Sequence, residues 1–293
     1  MDFNLQNKVY GIVGLGIMGG TIAKTIRKKV LSDQNSSGKI YACDKNENSL
    51  KNAQNQNVID KSFSLENVNL MLSECDILFV CLYPHATIEF LKTHQNDFKK
   101  DSIVTDISGV KQIFEEQDFH LNENFDFIIG HPMAGGEKEG YESSKDTFFE
   151  NRNYILIPTK YNKKENYEFF KNLIFKMGFS KITETTSEIH DYKIGFTSQL
   201  CHVIASALVE SAPDEKITDF GGGSFEDLTR IAMINAPLWT ELFTSNKEKL
   251  LFHIDNFIEQ MQIFRDLISQ NKKTELKDLL EDVRQKRILM SKK

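Results

Sequence analysis

Two short glycine-rich segments carry the chemistry legible in this chain. The first is Gly14-Leu15-Gly16-Ile17-Met18-Gly19, a G-x-G-x-x-G spacing between an apolar run, Lys8 to Val13, and a stretch of helical periodicity, Ile17 to Val30. At such a strand–turn–helix junction Gly14 permits the tight turn, Gly16 lets a pyrophosphate approach the backbone, and Gly19 lets the helix pack closely on the strand. Ile17 and Met18 fall in the first helical turn, where unpaired N–H groups and the positive end of the helix dipole favour phosphate. Asp44 ends the next apolar run, Lys39 to Cys43. A carboxylate there accepts from a ribose 2′-hydroxyl and repels a 2′-phosphate, which favours NAD; Lys45 beside it keeps NADP open. Tyr83 and Pro84 follow the run Asp76 to Leu82 and are placed at the same cofactor edge.

The second segment is Ile129-Gly130-His131-Pro132-Met133-Ala134-Gly135-Gly136-Glu137-Lys138. A histidine ending a strand sits at the carboxyl edge of an α/β sheet, where ligands bind. As neutral imidazole it can take a proton from a substrate hydroxyl while hydride departs. Taken alone, a loop histidine is more often a structural or solvated side chain than a catalytic one.

Positioning these groups requires a sheet. Lys8–Val13, Lys39–Cys43, Asp76–Leu82, Ser102–Ile107, Phe125–Ile129 and Tyr154–Ile157 read as strands, with helices over 17–30, 46–56 and 85–96. That alternation predicts parallel pairing with right-handed crossovers: an α/β, Rossmann-type doubly wound sheet. After about Thr185 the pattern becomes helical throughout. Helical periodicity runs from Glu188 to Ser211; Gly221-Gly222-Gly223 is a turn, and the next helix is expected to face Phe225, Leu228, Ile231 and Ala232 inward. Long amphipathic helices follow over Leu238–Ser269 and Glu275–Met290. Two domains are expected, 1–184 for dinucleotide binding and 185–293 for substrate binding and dimerisation. Unpaired apolar stripes on the latter favour a homodimer.

The chain's 36 basic against 42 acidic side chains, a formal charge of −6, argue against a nucleic-acid partner. Its longest apolar run, Ile77 to Tyr83, is too short to cross a bilayer, and the N-terminal Met-Asp-Phe-Asn does not begin a signal peptide. Cys43, Cys75, Cys81 and Cys201 form no CxxC pair and read as packed, reduced thiols, which places the protein in the cytoplasm. No metal is expected.

Three segments together resemble the prephenate dehydrogenase family: Gly14-x-Gly16-x-Met18-Gly19, the His131-Pro132-Met133-Ala134-Gly135 box, and Gly221-Gly222-Gly223-x-Phe225-x-Asp227-x-Thr229-Arg230. The resemblance runs from the first strand to about Trp239, with a helical tail beyond. It implies NAD-dependent oxidative decarboxylation of prephenate to 4-hydroxyphenylpyruvate in tyrosine biosynthesis, or of arogenate to tyrosine with NAD or NADP. It also implies that His131 hydrogen-bonds the ring hydroxyl and that Arg230 holds a substrate carboxylate. His202 would be a second histidine of the substrate site, flanked by Gln199, Gly136 and Glu137. Where the family has serine next to valine in D-x-x-S-V-K, to hydrogen-bond the ring hydroxyl and the histidine, this chain reads Asp106-Ile107-Ser108-Gly109-Val110-Lys111; Ser108 is the catalytic candidate from the adjacent position, or else faces only the cofactor. Gln199 stands where relatives often have histidine, and Gly136 where they often have Thr or Ser. A β-hydroxyacid dehydrogenase is the weaker reading. Its K-x-x-x-N pair is missing where it should lie, since Lys193 is followed at that spacing by Thr197. A non-catalytic NAD-sensing module would bind NAD without producing NADH.

Overall fold

The structure is a computed structural model that describes residues 4–115, 121–136 and 138–291. Eight strands form one sheet in the order β3-β2-β1-β4-β5-β6-β7-β8. They are β1 (Val9–Val13), β2 (Lys39–Cys43), β3 (Lys61–Phe63), β4 (Ile77–Val80), β5 (Ile103–Asp106), β6 (Asp126–Pro132), β7 (Asn153–Ile157) and β8 (Lys181–Glu184). β1 to β6 pair in parallel, as expected; β7 runs antiparallel to β6, and β8 pairs parallel to β7. The purely parallel expectation is therefore corrected at this edge. β3 and β8, which open on lysines and bury little, escaped the sequence reading.

Alternation along the strands builds a core on each face. Tyr10, Ile12, Ile77 and Phe79 turn to one side with Ile22 of α1 (Ile17–Thr25) and Phe170 of α5 (Lys164–Met177). Val13, Leu78, Val80 and Val104 turn to the other, with Ile88 and Leu91 of α4 (Pro84–His94). Both faces being covered is what continuous apolar strands in a parallel sheet require. α1 continues as a π turn, Ile26–Val30, whose Arg27, Lys28 and Lys29 suit a helix C-terminus. α2 (Glu47–Asn55) is capped by the Asn46 side chain, and α3 (Val68–Leu72) leads into β4.

Beyond β8 the described chain is helical. α6 (Ser187–Ile194) passes through a π turn, Gly195–Gln199, into α7 (Leu200–Glu210). α8 (Gly223–Thr229) fully buries none of its residues: of the face expected inward, Phe225, Ile231 and Ala232 are half-buried, while Leu228 is 56% exposed. The single helix expected over 238–269 is two, α9 (Ala236–Ser245) and α10 (Lys247–Ser269), interrupted at Asn246. The buried Asn246 amide donates to the Asp191 carbonyl and to Gln199 Oε1, both at 2.8 Å, so tertiary bonds fix the break. α11 (Lys273–Ser291) closes the description. Among the described residues no helix is long and apolar enough to cross a membrane. Cys43 and Cys75 are buried as expected, but Cys201 is exposed.

Candidate active site

Strand register brings the predicted segments to one edge. Val13 pairs with Cys43 and with Val80, and Val80 pairs with Asp106, so Gly14, Asp44, Cys81 and Ile107 follow at one level. This is the carboxyl edge at the point where strand order reverses between β1 and β4, the usual crevice of open α/β sheets.

The glycines behave as their spacing requires. Gly14 has φ +88°, and a side chain there would strike the Cys81 carbonyl oxygen at 2.6 Å. A Cβ on Gly19 would lie 1.9 Å from the Gly14 oxygen, so only glycine lets α1 sit this close to the turn. Gly16 caps α1, and a Cβ there would meet nothing within 4 Å. That open backbone at a helix N-terminus fits a dinucleotide pyrophosphate. Ile17 and Met18 are half-buried beside it. Asp44 accepts from the Leu15 amide at 2.5 Å and from the Asn46 amide at 2.6 Å. It therefore clamps the glycine turn while standing at the end of β2, where a ribose would lie. Tyr83 is 39% exposed; Pro84 is buried as the first residue of α4, where a missing N–H costs the helix nothing.

His131 lies beyond the parallel part of the sheet. β6 pairs with β5 only as far as Ile128, opposite Thr105, then continues against β7, where His131 faces Ile155. The antiparallel strand thus holds the half-buried histidine past the end of β5. His131 Nδ1 is 2.8 Å from His190 Nε2, and His190 Nδ1 is 2.6 Å from Asp191 Oδ1. Asp191 also accepts from the backbone amides of Lys111 and Gln112, each at 2.8 Å. Burial above all, then His190 and the Lys111 ammonium, holds the His131 pKa well below its ordinary value. Burial likewise lowers His190, against the opposing pull of Asp191. Both rings are neutral near pH 7.

A second buried group fixes the strand that carries His131. Lys111, fully buried, donates to Asp106 Oδ2 and to the Gly130 carbonyl, both at 2.6 Å. Asp106 in turn accepts from the Gly130 amide at 3.1 Å and the Ser108 amide at 2.8 Å. A Cβ on Gly109 would lie 4.0 Å from His131 Cε1 and 3.2 Å from Leu242 Cδ2, so it is position 109 that faces the histidine. The Ser108 hydroxyl is buried and makes no hydrogen bond among the described residues.

The remaining predicted residues divide. His202 on α7 lies against Trp239 of α9, with ring centroids 3.6 Å apart, and its Nδ1 is 3.0 Å from the Ser198 carbonyl. Arg230 is exposed in the short turn Arg230–Ala232, which packs on α7. Gln199 is buried; its amide donates to the Leu242 carbonyl at 3.0 Å and accepts from Asn246 at 2.8 Å. That makes it a tie between α7 and the α9–α10 junction. Gly136 is exposed, and a side chain there would press on Ile17 Cδ1 at 3.1 Å. Glu137 lies outside the described residues. Asn235, at the cap of α9, was not foreseen. It donates to the Tyr83 hydroxyl at 2.8 Å and to Glu139 at 2.7 Å, joining the edge of the sheet, the loop after His131 and the helical part. His190 and Asp191 were also missed; their signal was an adjacent His-Asp pair entering a helix.

Comparison with known proteins agrees on one family. Residues 22–182 match a model described as prephenate dehydrogenase, nucleotide-binding domain, and residues 186–282 one described as prephenate dehydrogenase, dimerization domain. A prephenate dehydrogenase of Bacillus subtilis is 28% identical over 267 residues, covering 88% of this chain and 70% of that protein. A cyclohexadienyl dehydrogenase of Zymomonas mobilis is 27% identical, covering 89% of each. The crystal structure of prephenate dehydrogenase from Aquifex aeolicus in complex with hydroxyphenyl propionate and NAD+ matches with a TM-score of 0.85 and 31% identity, over 97% of this chain and 98% of that one.

Proposed function

This chain belongs to the prephenate dehydrogenase family, and we propose that it oxidatively decarboxylates prephenate with NAD to give 4-hydroxyphenylpyruvate. The observation that carries the reading is a neutral, half-buried histidine on the same sheet edge as an open dinucleotide cradle.

Gly14, Gly16 and Gly19 would hold NAD with Asp44 available to its ribose, and the bound cofactor would supply a hydride acceptor. The protein must otherwise orient the ring and manage one proton and two carboxylates, because loss of hydride and carbon dioxide makes the ring aromatic. His131 accepts the proton of the ring hydroxyl. Arg230 holds a carboxylate, a task suited to its planar fork of donors, and His202 assists from α7, the helix on which the Arg230 turn packs. We assign Ser108 to ligand contact, since its hydroxyl is otherwise unspent, and leave the face opposite His131 to Gly109. We place the domain boundary at 184/185, where β8 ends and the chain becomes helical.

We further propose a homodimer formed by the C-terminal helices, supported by the exposed apolar residues of α10 and α11. A cytoplasmic location is supported by four free cysteines. Arogenate is the second reading, favoured by the Zymomonas relative's name and by a bare Gly136 where a substrate side chain could be selected. A matrix of prephenate and arogenate against NAD and NADP tests all four pairings by absorbance of reduced cofactor. Prephenate with NAD should turn over fastest; NAD binding without turnover of either substrate would overturn the reading.

A further inference from the structure

His190 and Asp191 stand outside the roles assigned above, yet both are almost fully buried and lead directly to His131. The hydrogen-bond chain has only one consistent direction when both rings are neutral. Asp191 is surrounded by donors: the amides of Lys111 and Gln112 and the His190 Nδ1 position all approach its carboxyl oxygens. It therefore accepts, and His190 carries its single proton on Nδ1. His190 Nε2 is then a lone pair, so the 2.8 Å contact requires a proton on His131 Nδ1. A neutral ring protonated at Nδ1 has a bare Nε2.

We propose that Asp191 and His190 are positioning residues that fix the tautomer of His131, leaving its Nε2 unprotonated to receive the substrate hydroxyl proton. The inference rests on the proposed role of His131 and explains how a buried imidazole presents the right nitrogen. Asp191 acts through two intervening hydrogen bonds and touches no substrate. It is itself anchored by the backbone at Lys111, whose side chain grips the Gly130 carbonyl next to His131. The strand and the tautomer are thus set from one segment.

Replacing Asp191 with asparagine tests this, because an amide can donate to His190 Nδ1 and reverse the chain. Asp191→Asn should lower kcat about 10²- to 10⁴-fold, the range for losing a correctly oriented base. KM for prephenate and for NAD should stay within about threefold, since no binding group is removed. Heteronuclear NMR of the ring nitrogens should show His131 protonated at Nδ1 in the parent protein and at Nε2 in the variant. A second pair covers the case in which Asp191→Asn does not fold. His190→Gln, whose carbonyl can accept from His131 Nδ1, should keep at least about tenfold more kcat than His190→Leu, which offers no acceptor. Equal kcat in that pair, or an Nε2-protonated His131 in the parent, overturns the proposal. Should His131→Asn abolish turnover while His190→Leu and Asp191→Asn remain active, only the tautomer inference falls. Should His131→Asn remain active, the functional reading falls with it.

Discussion

The sheet-bearing half and the helical half of this chain bury their apolar residues in different ways. Up to Glu184, strands and helices close two cores around one sheet, and even a lysine, Lys111, is sealed inside with its carboxylate. In the other half, α10 buries only Leu250 and His253 over 23 residues, and α11 buries none. Ile258, Met261 and Ile268 are more than half exposed on α10, as are Leu280, Leu289 and Met290 on α11. Exposed apolar faces of that extent mark an interaction surface. The contrast separates two kinds of burial: the sheet-bearing half closes its cores within a single chain, while the helical half, which matches a dimerization domain, leaves apolar faces exposed.

Substitutions can break or sharpen this contrast. Lys111→Met strands Asp106 in the interior and should cost about 3–5 kcal/mol of stability, visible as a drop in Tm. A loss under about 1 kcal/mol would show that the first half is less tightly determined than described. Met261→Glu, on the exposed face of α10, should leave folding within about 0.5 kcal/mol yet shift the protein from dimer to monomer in sedimentation. An unchanged dimer would move the interface elsewhere.

Proton linkage offers a subtler test. His131 has a folded pKa below the ordinary 6.5, so between those values the unfolded chain binds the extra proton. Its contribution to stability is full above about pH 6.5 and declines as pH falls below it. Turnover should likewise pass unchanged through pH 6.5 and fall only at lower pH. A midpoint of kcat at or above about 6.5 would contradict the burial argument. The smallest effect is expected at Asp44. Asp44→Ala should raise KM for NAD roughly tenfold, about 1.4 kcal/mol, and narrow its preference over NADP.

What the sequence made legible follows the range of the interactions. The glycine cradle could be read because its spacing falls within six residues at a strand–turn–helix junction. The parallel strands could be read because burial on both faces leaves continuous apolar runs. β3 and β8 were not legible, since Lys-Ser-Phe and Lys-Ile-Thr-Glu carry neither signature. The break at Asn246 is set by its bonds to Asp191 and Gln199, 55 and 47 residues away. The bonds of the Gln199 amide to Leu242 and Asn246 are likewise set by residues more than forty positions away, which no local pattern announces. His190 and Asp191 were passed over because neighbours on a helix point apart, and only the approach of the Lys111–Gln112 backbone draws them into one chain. His131 itself is legible by motif and its neighbour β7 as a strand, but the antiparallel direction in which β7 meets β6 is not.

The most direct test of the central claim is the kinetics of His131→Asn beside a titration with NAD. Loss of kcat on prephenate by about 10²- to 10⁴-fold, with NAD affinity within about twofold of the parent, is the predicted result. Turnover at the parent rate would contradict the assignment of proton transfer to this histidine.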